Sequence, residues 1–147
     1  MSSKPLFIIL GNQLFPLDEI NNSNMQNVDI KSLAAEISEL TQKNWDIVRS
    51  ICLNFKIKSY FVLQPVYYVN FPIEQHSFLP KNENPFYKQV YFEYYRLMRD
   101  KNKNKNDFID ASSLFENANE CPFIDSHHYS PNANKKIAEL IANKMNN

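Results

Sequence analysis

Leu6-Phe7-Ile8-Ile9-Leu10-Gly11-Asn12 is a continuous apolar run cut short by a glycine and an asparagine. A short run without alternation suits a strand buried on both faces, as in parallel sheets. Working outward, Ser59-Tyr60-Phe61-Val62-Leu63 reads as a second strand. Gln64-Pro65 ends it, because proline has no N–H to donate to a ladder. Asp107-Phe108-Ile109-Asp110 reads as a short third strand.

Helical patterns separate the strands. From about residue 30 to Asn54, Leu33, Ile37, Leu40, Trp45, Val48, Ile51, Cys52 and Phe55 recur at helical spacing, with Asp29 placed to cap the start. The pattern fits one helix, or two meeting near Asn44. Pro85 opens another helix, with Phe86, Val90, Tyr94, Leu97 and Met98 on one side. Ser130 as N-cap and Pro131 at the first position announce a last helix, with Ala133, Ile137, Leu140, Ile141 and Met145 on one face. Residues 12–30 read as irregular, 66–83 as a long surface loop, and the Lys-Asn run at 101–106 as a solvated turn.

Strands alternating with helices predict parallel βαβ units with right-handed crossovers, in one domain over residues 1–147. Ligands of such sheets bind beyond the carboxyl ends of the strands.

Composition narrows the function. Sixteen basic and 16 acidic side chains leave a formal net charge of zero, so nothing supplies in bulk the basic face that nucleic acid needs. Gly11 is the only glycine, where ordinary usage would supply roughly ten. A P-loop or a dinucleotide fingerprint needs several, so both are excluded. Cys52 and Cys121 are far apart and have no companions at metal spacing, which fits a reduced, cytoplasmic setting. No stretch approaches the roughly 20 apolar residues of a membrane span, and the early apolar run is too short for a signal peptide. A signal on an upstream segment stays open.

The chemistry concentrates in Phe123-Ile124-Asp125-Ser126-His127-His128-Tyr129-Ser130-Pro131, between the last strand and the last helix. In a tight turn, Asp125 can reach one imidazole nitrogen of His128. The carboxylate then fixes the tautomer, and the other nitrogen is left to take a proton from a hydroxyl. His127 reads as a solvent-facing neighbour, and a metal site lacks a fourth ligand. His76 reads as a surface-loop residue. Tyr87, Tyr91, Phe92, Tyr94 and Tyr95 either line an acyl or sugar pocket or pack the helix on the sheet.

Asp-x-x-His followed by Ser-Pro and a helix carrying Ile137-Ala138-Glu139 resembles the C-terminal block of SGNH hydrolases, the GDSL-type esterases and lipases. Tyr60-Phe61-Val62-Leu63-Gln64-Pro65 resembles that family's penultimate strand. Asn84-Pro85-Phe86-Tyr87 and Asp107-Phe108-Ile109-Asp110-Ala111-Ser112 stand where the family has its later helix and last strand. The resemblance covers roughly residues 30–145. It implies a three-layer α/β/α flavodoxin-like sandwich, here truncated to about three parallel strands, and hydrolysis of esters or acyl linkages without cofactor or metal. Asp125 would be the acid and His128 the base.

The chain departs from the family pattern as well. It contains no Gly-Asp-Ser, the block that carries the family nucleophile. The family's Gly-x-Asn-Asp block corresponds to Leu10-Gly11-Asn12-Gln13-Leu14, which makes Asn12 and Gln13 the oxyanion candidates. The resemblance therefore implies the C-terminal half of a hydrolase, inactive on its own. A separate polypeptide would supply the nucleophile and an ester or acyl compound would be the substrate; alternatively, the chain is a non-catalytic remnant of the fold. An open first strand in such a half predicts self-association through the sheet edge. Ile8-Ile9-Leu10-Gly11-Asn12-Gln13-Leu14-Phe15-Pro16 is also similar to the opening strand of photolyase-related proteins, but the chain has no room for their flavin-binding helical domain.

Overall fold

The computed structural model describes residues 6–10, 28–71, 85–125 and 128–146. The elements run β1 (Leu6–Leu10), α1 (Ile30–Asn54), β2 (Lys58–Leu63), α2 (Pro85–Asn102), β3 (Phe108–Asp110) and α3 (Pro131–Asn146). The three strands form one parallel sheet in the order β1-β2-β3. Leu6 pairs with Lys58 and Leu10 with Val62, while Phe61 pairs with Phe108 and Leu63 with Asp110. The chain is thus of the α/β class. Among the described residues, no helix is long and apolar enough to cross a membrane.

Alternation along the strands builds two cores. Phe61, Leu63 and Phe108 point to the side covered by α1 and α2, where Trp45, Val90, Tyr94, Tyr95 and Met98 are buried. Tyr60, Val62 and Ile109 point to the other side, onto Ala133, Ile137 and Ile141 of α3. Successive crossovers that step the same way across a sheet with the same hand place their helices on one face. That rule accounts for α1 and α2 lying together. α3 follows the last strand and returns over the opposite face.

The ends of the helices follow from local chemistry. α1 is one unbroken helix, and Asp29 caps it by accepting the Lys31 N–H at 3.1 Å. At its far end the Ile57 N–H donates to the Cys52 carbonyl at 2.7 Å and the Lys56 N–H to Leu53 at 3.1 Å. These two bonds make a Schellman cap, whose pivot needs positive φ. Glycine usually fills that position; here Lys56 does, at φ 56°. A side chain at positive φ costs about 1–2 kcal/mol. Lys56→Gly is therefore expected to raise the unfolding free energy by about 0.5–1 kcal/mol, after the extra freedom of the unfolded chain is subtracted. Urea denaturation at fixed protein concentration measures it. α3 starts as the sequence indicates, with Ser130 Oγ accepting the Ala133 N–H at 3.2 Å.

Three expectations need correction. The Lys-Asn run at 101–106 is not wholly a solvated turn, because α2 continues through Asn102 and buries it completely. There Asn102 Nδ2 donates to Gln42 Oε1 and to the Met98 carbonyl, both at 2.9 Å, which ties α2 to α1. Nor does the segment after β2 begin as a surface loop. Val66, Tyr67 and Val69 are buried, and Val66 and Val69 bridge each other in a tight turn. Finally, Leu40, Ile51 and Phe55 share the helical apolar pattern of α1 but are exposed. The sheet and α2 cover a narrower arc of α1 than its apolar residues span.

Candidate functional site

After β3 the chain crosses residues 111–122 and forms a small hairpin. Phe123 and Tyr129 bridge in antiparallel fashion. The Ile124 N–H donates to the His128 carbonyl and the Ser130 N–H to the Pro122 carbonyl, both at 2.8 Å. Asp125 lies in the bend. Its Oδ1 accepts the His128 backbone N–H at 2.8 Å, and its Oδ2 lies 2.7 Å from His128 Nδ1. One carboxylate therefore holds both the backbone and the ring of the same histidine. With Nδ1–H donating to the carboxylate, Nε2 is the basic nitrogen. The pair sits in solvent, with side-chain exposures of 77% for His128 and 54% for Asp125. An exposed contact of this kind adds little stability, so its effect is orientation of the ring.

Tyr129 sets where the hairpin stands. Its hydroxyl donates to the Pro65 carbonyl at 2.5 Å, just beyond the carboxyl end of β2. Its ring packs 5.5 Å from Phe123 and 6.4 Å from Phe115. Asn70 Nδ2 donates to Ser113 Oγ at 2.9 Å, which adds a second tie between the turn after β2 and the loop after β3. The Asp125–His128 pair is thereby moored at the carboxyl end of the sheet. The sequence pattern assigns Tyr129 no part in the chemistry. Its position, directly between the histidine and the helix cap, is the available signal.

Burial pushes the Tyr129 phenol well above its ordinary range, and pushes Tyr94 up to about 12 despite its hydrogen bond to Thr41. Both groups hold their proton more tightly in the folded state than in the unfolded chain. Stability is then full below the unfolded phenol value of about 10 and is lost as pH rises through the folded values. Tyr129→Phe removes the donor to Pro65 and is expected to cost about 1–2 kcal/mol near neutral pH. It should also flatten the loss of stability above pH about 10. Denaturant midpoints across that range check both effects.

The remaining candidates do not join the pair. Asn12 and Gln13 lie outside the described residues, as do His76 and His127. Cys52 is buried. Cys121 is partly buried, its thiol is pushed up by that burial, and it contacts the Phe123 carbonyl at 3.4 Å, so among the described residues nothing activates it as a nucleophile. Of the tyrosine-rich face of α2, Tyr94 and Tyr95 are core residues and the Tyr91 ring stacks on Tyr68 at 5.1 Å. Phe92 instead borders an open cavity of about 580 Å³, with Val28, Ile30, Tyr68, Lys88 and Glu93 among its walls. Among the described residues, no member of the hairpin lines that cavity. Among the described residues, no group of three or more His, Cys, Asp and Glu side chains is placed to hold a metal ion.

No protein-family model matches the chain, and no curated protein or solved structure matches it either.

Proposed function

We propose that the chain is the acid–base portion of an SGNH-type serine hydrolase, in a three-layer α/β/α flavodoxin-like sandwich reduced to three parallel strands. The observation that carries this reading is the contact of 2.7 Å between Asp125 Oδ2 and His128 Nδ1, made by a hairpin tethered to the carboxyl end of β2. Helices on both faces of the sheet, two after the crossovers and one after the last strand, agree with such a sandwich.

In this reading His128 Nε2 takes the proton of an attacking serine hydroxyl and returns it to the leaving alcohol. Asp125 holds the ring and stabilises the imidazolium between those steps. The serine comes from a polypeptide carrying a Gly-Asp-Ser block, because this chain has none. The substrate class is esters or acyl conjugates. Asn12 and Gln13 are the amides proposed to face the oxyanion.

Co-expression with an N-terminal SGNH segment that carries Gly-Asp-Ser tests the proposal, with p-nitrophenyl acetate as substrate. Hydrolysis is expected from the pair and not from either piece, and His128→Ala should abolish it. Hydrolysis that survives His128→Ala would reject the assignment.

A second reading, a non-catalytic remnant of the same fold, is favoured by the exposure of the pair and by the absence of any described hairpin residue from the cavity wall. It expects no turnover with any complement, and no effect of His128→Ala beyond a small change in stability.

A further inference from the structure

Among the described residues, one flank of α1 carries a stripe that nothing covers. Leu40, Ile47, Ile51 and Phe55 recur at helical spacing and are 43%, 58%, 51% and 67% exposed. Asn44 fills the remaining place in the row. The stripe is not the side that meets α2, which is marked by Ser38 receiving Lys101 Nζ and Gln42 receiving Asn102, both at 2.9 Å. Nor is it the side that meets the sheet, where the Trp45 ring lies 5.2 Å from Phe61. Scattered exposed apolar residues are ordinary, but four large ones in a continuous row mark a contact surface.

The charges along the stripe identify its occupant. Glu36 and Glu39 stand exposed toward its N-terminal end, Lys43 stands exposed beside its middle, and Lys56 stands exposed beyond its C-terminal end. None of the four makes an ion pair among the described residues. A surface with its acidic groups at one end and a basic group at the other, on either side of an apolar row, complements itself when turned end for end. Two copies of α1 laid antiparallel about a two-fold axis near Ile47 would set Leu40 against the partner's Phe55. The same arrangement brings the acidic end of each stripe to the basic end of the other and opposes the two helix dipoles. A parallel pairing would instead place like charges together.

From this geometry we infer that the chain forms a two-fold symmetric homodimer through the outer face of α1. The interface is helix on helix. It differs from an association through the edge of β1 and does not depend on the hydrolase reading.

Sedimentation equilibrium of the full chain over the micromolar range tests the inference. The wild-type chain is expected to be dimeric. Ile47→Glu and Ile51→Glu should each weaken the dimer on the order of 30-fold or more, with an unchanged far-ultraviolet circular dichroism spectrum. Glu39→Lys should weaken it by a smaller factor, and adding Lys56→Glu should restore part of the loss. A purely structural role for Glu39 would not give that rescue. A monomeric wild-type chain would overturn the inference and leave the stripe to a different polypeptide. A dimer that persists in the Ile47→Glu, Ile51→Glu double variant would also overturn it, and would point to the strand edge.

Discussion

Phe61→Ala is expected to lower the unfolding free energy by about 3–5 kcal/mol, the range for emptying an aromatic site in a packed core. Phe61 is fully buried in the middle strand and belongs to the core that α1 and α2 cover. Its ring meets Trp45 at 5.2 Å, and the Arg49 guanidinium lies 4.2 Å above it. Arg49 is held there by Asp107, at the entrance to β3, through a two-pronged pair at 2.5 and 3.2 Å. Truncation therefore opens a cavity and also removes the surface on which a largely buried cation rests. Phe61→Leu keeps most of the volume and is expected to cost less than half as much. Chemical denaturation of the three proteins checks the order. An alanine variant within about 1 kcal/mol of wild type would mean that the site collapses, contrary to a close-packed sheet interface.

Asp125→Asn should have the largest functional effect after loss of His128 itself. Under the proposed hydrolase reading, it is expected to reduce the kcat of a complemented enzyme by about 10⁴-fold, because an amide in place of the carboxylate favours the wrong imidazole tautomer and leaves the imidazolium unsupported. The fold should be unaffected, since the pair is exposed. The introduced amide retains one carbonyl oxygen for the His128 N–H, so the hairpin itself should persist. Unchanged thermal unfolding together with the loss of kcat distinguishes a positioning role from a structural one. A change of less than about tenfold would remove Asp125 from the mechanism.

Much of this architecture can be read from the residues. Unalternating apolar runs mark the strands because a sheet covered on both sides has no polar face, and Asp29 and Ser130 mark helix starts because their side chains satisfy N–H groups that the helix cannot. The Asp125–His128 contact is legible for a similar reason, since it spans one turn and needs no distant partner. Features that depend on distant partners are harder to read. Asn102 looks like part of a polar turn until Gln42, sixty positions earlier, supplies its acceptor. The buried Val66–Val69 turn looks like loop because proline and the tyrosines around it do not reveal which side of the sheet they will cover. Periodicity along α1 shows that Leu40, Ile51 and Phe55 share a helical face, but not that the face exceeds what the sheet and α2 can cover.

The parallel register has a kinetic consequence. Leu6 meets Lys58 and Phe61 meets Phe108, so each ladder joins segments about fifty residues apart and no hairpin can form as a local nucleus. Loop closure must be completed before either pairing gains anything, and the helices within those loops shorten the search. On the ribosome, β3 and the helix that shields the second core emerge after β2. The nascent chain therefore carries Tyr60 and Val62 without their cover until α3 has been made, the interval in which a chaperone would act.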